Sequence, residues 1–296
     1  MKGMCGGVPP TNSDCCWLLA GNIDPTAYRD YPDHKLPLTD KGLAMAREAG
    51  SEIDRKLTEL FGEPGPDTGT KLYLSPFVRT RQTAEGVLDG ENGRGVRRWL
   101  SHMEESALLV EQDWGLFEGS GIQDAPKKYP NEWKRVQEIR KHQGKYWCRF
   151  PLGESCFDVC CRVNQLFGKL QRDRYPDRGH RLRKRAVRNV VIVSHGVTIR
   201  AFVMMWCKFS PEWFDASSNP PNASVRLLDS TVLGWDAGYM FAGFGSQGQR
   251  LDMEDLQHSP DPVRLEYITN VLRNSNHSEF ELGRTPTCSE RAPGRP

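Results

Sequence analysis

The stretch RNVVIVSHGVTIR, residues 188–200, decides how the chain is read. Asn189 to Val193 are mostly β-branched and apolar. That is the pattern of a short strand buried on both faces, and hence of a parallel sheet. Gly196 permits a tight turn, and VTIRAFVMMW then carries apolar side chains at helical spacing. His195 therefore falls where a central strand hands over to a helix. In open α/β sheets ligands bind beyond the carboxyl ends of the strands, so a histidine delivered there is placed for chemistry.

Working outward, the same alternation repeats. KLYLS (71–75) reads as a strand and FVRTRQTAEGVL (77–88) as a helix, with Pro76 allowed at its entry. PLTDKGLAMAREAGSEIDRKLTELF (37–61) reads as a helix capped by Thr39, with Leu43, Ala46, Gly50, Ile53, Leu57 and Leu60 on one face. ALLV (107–110) reads as a short strand, and PKKYPNEWKRVQEIRKHQ (126–143) as a polar, partly helical insertion. In ESCFDVCCRVNQLFGKLQRD (154–173), Cys156, Val159, Cys160, Val163, Leu166, Phe167 and Leu170 share a helical stripe. Ser155 and Asp158 resemble a capping box at its start. ASVRLLD (223–229) reads as a further strand. Strands alternating with helices predict an α/β fold, a parallel-rich three-layer α/β/α sandwich. The expected division is a non-homologous or disordered segment over 1–20, one domain over 21–234, and a largely disordered extension over 235–296, where periodicity fades.

Bulk properties narrow the function. The 296 residues carry a formal net charge of +2, which implies neither a nucleic-acid nor a membrane partner. Mean hydropathy is −0.61, and no apolar run reaches the roughly 18 residues of a membrane helix. MKGMCGGVPPTNSDCC has no apolar core of a secretory signal. Nine cysteines occur without a CxxC pair. Cys148, Cys156, Cys160, Cys161 and Cys207 lie among apolar residues and read as reduced, buried cysteines of a cytoplasmic protein. The histidines are scattered and no ligand pair has zinc spacing, so neither metal nor cofactor is expected. The oligomeric state is not readable. The basic segment RDRYPDRGHRLRKRAVR (172–188) precedes the His195 strand, at its amino end, and reads as a solvated loop.

Three further stretches can bear chemistry. In LYLSPFVRTRQTA (72–84), Arg79 follows a strand end and opens a helix, a placement suited to gripping phosphate. Arg81 reads as solvent-facing. In LLVEQDWGLFEG (108–119), Glu111 stands beside an aromatic–glycine turn that contains Trp114 and Phe117. A carboxyl group there is open to a raised pKa and general-acid work. RFPLGES (149–155) adds Arg149 and Glu154, the latter placed for helix-start electrostatics.

In order, these pieces read Ser-Pro-x-x-Arg-x-x-Gln-Thr-Ala, Glu-x-x-x-Gly, Gly-Glu-Ser and Ser-His-Gly-x-x-Ile-Arg. The chain here resembles the histidine phosphatase superfamily, of the phosphoglycerate-mutase-like fold. It is most similar to plant and fungal phosphoglycerate-mutase-like phosphatases, over roughly 21–228. The resemblance implies a phosphomonoesterase that moves a phosphoryl group through a phosphohistidine, with a phosphorylated small molecule or phosphate as partner. It makes His195 the second histidine of the site, Arg79 a phosphate-binding arginine and Glu111 the acid that protonates the leaving oxygen. Asn22 matches the close of the first motif, Leu38 and Thr39 its downstream segment, and Gly196 follows the second histidine.

The first motif itself is missing. The family reads Arg-His-Gly-Glu-Ser-x-Gly-Asn, whereas this chain offers CCWLLAGN over 15–22. Counted without gaps, Cys15 takes the arginine's place, Cys16 the nucleophile's and Trp17 the glycine's. Pro9 and Pro10 break any ladder before it, so the central first strand is expected to be absent or disrupted. Cys156 and Arg162 have the Cys-x5-Arg spacing of cysteine phosphatases, but without glycines and on a core-facing helix. Three readings follow. The opening residues misstate an enzyme that carries Arg-His-Gly; or the chain is a pseudoenzyme binding phosphorylated ligands or partners; or His195 serves alone as a base in another hydrolysis. As written, the chain is expected to be inactive.

Overall fold

The computed structural model describes residues 15–20, 31–65, 68–119, 121–174, 187, 189–229, 238–246 and 248–257. Among them the strands are β1 Cys15–Ala20, β2 Thr70–Leu74, β3 Leu100–Glu105, β4 Asn189–Ser194, β5 Val225–Asp229 and β6 Gly238–Phe241. The helices are α1 Asp40–Phe61, α2 Val78–Asp89, α3 Gly121–Lys128, α4 Pro130–Gln143, α5 Cys156–Arg174, α6 Gly196–Cys207, α7 Pro211–Ala216 and α8 Met253–Gln257. The strands form one sheet in the order β3-β2-β4-β1-β5-β6. β2 and β1 flank β4 in parallel, β3 runs parallel to β2, and β5 and β6 add antiparallel at the far edge.

Alternation along the strands splits the core into two layers. Leu72, Leu74, Val191, Val193, Val225 and Leu227 turn to the face covered by α1 and α2. Tyr73, Ile192 and Leu228 turn to the face covered by α5 and α6. Both faces are thus buried, which explains why β4 reads as an unbroken apolar run. The three-layer α/β/α sandwich is the fold expected from the sequence. A third, smaller cluster of Phe117, Val136, Cys148 and Phe150 holds the polar insertion together. Among the described residues no helix is long and apolar enough to cross a membrane.

Several local expectations need correction. The central first strand is present. β1 pairs with β4 from Cys15↔Asn189 to Ala20↔Ser194. Pro9 and Pro10 precede it in sequence, so their missing N–H groups cost its ladder nothing, and Trp17-Leu18-Leu19 have the propensity a central strand needs. ALLV is not a strand. Ala107–Leu109 is a 3₁₀ turn, and the edge strand is the more polar LSHMEE before it, whose side chains are mostly exposed. An edge strand with one neighbour lacks the two-sided burial that marks a strand by composition. The sheet also continues past position 234, because β6 pairs with β5 and Phe241 and Phe244 join the core. On α1, Met45 and Ala49 are buried while Leu60 is exposed and Phe61 packs against the core instead. Cys161 is exposed and Cys207 half-buried; Cys161 lies one residue off the α5 stripe.

Two helix starts follow their caps. The Thr39 hydroxyl accepts the Gly42 N–H at 2.9 Å. Ser155 and Asp158 close their box reciprocally, with Ser155 N–H to Asp158 Oδ2 at 2.8 Å and Asp158 N–H to Ser155 Oγ at 3.2 Å. Thr39→Ala is expected to lower unfolding stability by about 1 kcal/mol, the usual worth of an N-cap. Urea denaturation checks this, and an unchanged midpoint would show that the cap contributes nothing.

Candidate active site

His195 ends the β4 extension and caps α6 with an extended backbone (φ −129°, ψ 166°). Its carbonyl accepts the first helical bond, from Ile199 N–H at 2.8 Å. Gly196 follows because there is no room for a side chain. A Cβ there would stand 2.9 Å from the Asn219 amide carbon. Arg200 Nη1 donates to Asn219 Oδ1 at 3.1 Å, so that amide is held in place.

The imidazole of His195 is buried, and both ring nitrogens have partners. Arg79 Nε donates to Nδ1 at 3.2 Å, and Nε2 lies 2.8 Å from Ser75 Oγ. A guanidinium has only donors, so Nδ1 must be the bare nitrogen and Nε2 carries the proton toward Ser75. Burial first, then the charges of Arg79 and Arg162, hold the imidazolium well below its usual range. The ring is therefore neutral at physiological pH. Phe77 packs edge-on against it, with centroids 5.0 Å apart.

Arg79, in the first turn of α2, is also buried. Its Nη1 donates to the Asp33 carbonyl at 2.6 Å and to Asp33 Oδ1 at 3.0 Å. Nη2 donates to Asp33 Oδ2 at 3.2 Å. The guanidinium lies 4.8 Å over the Phe77 ring. Arg79 thus ties the β4–α6 junction to the segment ahead of α1.

Glu111 is placed through its backbone. Ser194 Oγ donates to the Leu109 carbonyl at 2.8 Å and Thr198 Oγ1 to the Val110 carbonyl at 2.6 Å. Arg162, from α5, donates to the carbonyls of Leu108 at 2.9 Å and Glu111 at 3.0 Å. The serine and threonine around Ser-His-Gly-x-Thr therefore hold the loop that carries the carboxylate. Glu111 Oε1 accepts the Gln112 N–H at 2.9 Å, and the Val197 N–H of α6 also donates to the carboxylate. Burial raises its pKa against the opposing pull of these N–H groups, Arg79 and Arg162. A carboxyl whose pKa is raised by burial, set near a guanidinium and a neutral imidazole, has the surroundings that general-acid chemistry uses.

The other expected residues separate. The Leu38 N–H donates to Gln82 Oε1 at 2.7 Å, which docks the Leu38 segment onto α2, and the Thr39 hydroxyl caps α1. Asn22 lies outside the described residues. Arg81 is exposed and pairs with Glu105 at 2.7 Å. Arg149 pairs with Asp158. Glu154 pairs with Arg162 at 3.0 Å and accepts the Asp113 N–H at 3.1 Å. Arg162 is thereby engaged, and burial pushes the Cys156 thiol up to about 12, so the Cys-x5-Arg match has no reactive thiolate. Cys16 does not stand at a nucleophile's place either. It pairs with Val190, five residues before His195, or about 16 Å along the strand. Among the described residues no cluster of three or more His, Cys, Asp and Glu side chains is placed to hold a metal ion.

Sequence reading missed Asp33, Ser75, Glu118 and Arg162. Ser75 lies inside the Ser-Pro-x-x-Arg motif and Asp33 a few residues ahead of the Leu38-Thr39 segment, but nothing in the order of residues shows that they meet His195 and Arg79. Burial first, then Asp33 and Asp113, raise the Glu118 carboxyl from an ordinary 4.5 to about 7, while Arg79 lowers it. Glu118 is therefore electrostatically coupled to the Asp33–Arg79 pair.

The sheet order and the helices on both faces are those of a phosphoglycerate-mutase-like α/β protein, and the arginine–histidine pair and the raised carboxyl lie at the carboxyl end of its parallel strands. The chain belongs to the histidine phosphatase superfamily (branch 1), whose model matches residues 26–240. It is 36% identical over 223 residues to phosphoglycerate mutase-like protein AT74 of Arabidopsis thaliana, covering 75% of this chain and 64% of that one. It is 35% identical to AT74H of the same plant, covering 79% and 77%. It is 27% identical to the broad-range acid phosphatase DET1 of Saccharomyces cerevisiae, covering 67% and 78%. Among solved structures, the mycobacterial glucosyl-3-phosphoglycerate phosphatase with inorganic phosphate shares the fold, with a TM-score of 0.53 and 21% identity over 79% of this chain and 99% of that one. The chain spans just under two thirds of AT74.

The raised Glu118 carboxyl gives a pH test. Its folded pKa lies above the unfolded value, so its stabilisation is complete below about pH 4.5 and is lost as pH rises through about 7. Glu118→Gln removes this term. The variant should gain about 1 kcal/mol on wild type between roughly pH 5 and pH 8, after discounting for solvent screening. Urea unfolding at both pH values measures it, and a constant difference would return Glu118 to an ordinary carboxyl.

Proposed function

We propose that this domain binds phosphate monoesters at the Arg79–His195 junction and, as written, transfers no phosphoryl group. The β1 register carries the reading. The strand beside β4 offers Cys15 to Ala20 up to the level of Ser194, and Gly21, next in sequence, has no side chain. No histidine is supplied from β1 next to His195, and a covalent phosphohistidine needs one. The neutral His195 has its Nδ1 turned to Arg79, which suits a hydrogen-bonding partner of a ligand better than a nucleophile.

The binding half is supported independently. Arg79 is a planar, always-charged fork at a helix start, the chemistry that grips phosphate bidentately. Glu111 keeps the environment of a general acid. The family's name and the acid phosphatase relative support a phosphorylated small molecule as the ligand class. The retained acid also fits the alternative of an enzyme whose first motif is misstated here.

The test combines labelling with binding. Incubation with a phosphorylated donor should leave no acid-labile phosphohistidine, and an aryl phosphate should not turn over. Millimolar phosphate should raise the melting temperature, and Arg79→Ala should abolish that shift. Turnover that vanishes in His195→Ala would overturn the inactive reading. Absence of any phosphate shift in the wild type would overturn the binding one.

A further inference from the structure

The geometry points to Asp33 as an internal occupant of the anion site: its carboxylate sits in the guanidinium fork that a phosphate would use and sets how tightly the site takes an external anion. This rests on the phosphate-binding reading of Arg79 given above.

The observation is a count of donors. A guanidinium has five N–H groups. Arg79 spends one on His195 and three on Asp33, two of them on the carboxylate oxygens. This two-point carboxylate grip is the same arrangement that recognises phosphate. The pair is deep, with side chains 7% and 17% exposed. An incoming phosphate has one uncommitted N–H to approach unless Asp33 leaves.

The segment bearing Asp33 is held so that the carboxylate returns to the fork. Downstream, Leu36 is fully buried and the Leu38 N–H is fixed by Gln82. The Asp33 carbonyl itself also accepts from Arg79, which seats the backbone as well as the side chain. Glu118 and Asp113 add further acidic character near the same arginine. A dianionic phosphate ester can displace a single carboxylate, but it does so against a competitor tethered to the protein, at high effective concentration. Asp33 therefore acts as a specificity-determining residue. It favours dianionic ligands with enough further contacts to repay the exchange over singly charged anions.

The test compares wild type, Asp33→Asn, Asp33→Ala and Arg79→Ala for binding of inorganic phosphate by calorimetry, with melting curves recorded in phosphate-free buffer. Removing the tethered charge should tighten phosphate binding at least about tenfold in both Asp33 variants. Asp33→Ala should also melt lower than wild type without phosphate, because Arg79 is left without its partner, and phosphate should restore it. Asp33→Asn keeps the shape and an acceptor, so it reports on charge if the alanine variant folds poorly. Unchanged or weaker phosphate binding in a folded Asp33 variant, with wild-type binding still lost in Arg79→Ala, would overturn the role of Asp33 alone. No binding in any of the four proteins would overturn the phosphate-site reading and this inference together.

Discussion

Strand β4 is hydrogen-bonded along both edges and covered on both faces, and that constraint organises the site. β2 brings Ser75 to the level of His195, since the Ser75 N–H continues the ladder to the Val193 carbonyl at 3.1 Å. α2 then lifts Arg79 from the β2 end, and α6 starts on His195 itself. The loop of Glu111 is fastened to the same strand end by Ser194 and Thr198. Side chains from three distant parts of the chain thus meet because one strand fixes the level at which their elements end.

This explains why so much was legible in the sequence. A strand buried on both faces has to be an apolar run, and its junction residue has to be polar, so VVIVSHG announced its own place. Arg79 was readable because a strand end, a proline and a helix start are local signals. α1 and α5 were readable through their caps and stripes. The edge strand β3 was not, because LSHMEE is mostly exposed and carries no buried pattern, while the apolar ALLV behind it satisfies burial as a turn. β1 is hard to read for a related reason: Pro9 and Pro10 signal a broken ladder, but the strand starts after them, at Cys15.

The partners of the site residues were the least legible part. That Arg79 would meet Asp33, 46 positions away, depends on how the segment before α1 folds back onto α2, and no periodicity encodes that. The protonation states were legible only as possibilities. Glu111 and Glu118 sit in one short acidic–aromatic stretch, yet their raised pKa values come from different surroundings. Burial leads for both, but Glu111 is opposed by N–H donors and two arginines, whereas Glu118 is raised further by Asp33 and Asp113. Sequence places the carboxyl groups; the fold assigns their charge.

The fold of this family asks less of β1 than its chemistry does. β1 keeps its central place through backbone hydrogen bonds, which any residue with a free N–H supplies, so the sheet forms whatever side chains the strand ends on. The nucleophile has no such redundancy, because one side chain at one level is required for a covalent step. Arg79 and His195 belong to α2 and the β4–α6 junction, so their contact does not depend on which side chains β1 carries. A buried arginine also needs a counter-charge when no ligand is present, since an unpaired buried cation is costly. Asp33 meets that need within the protein itself, and on the inference drawn above the same carboxylate is the group a phosphate would displace.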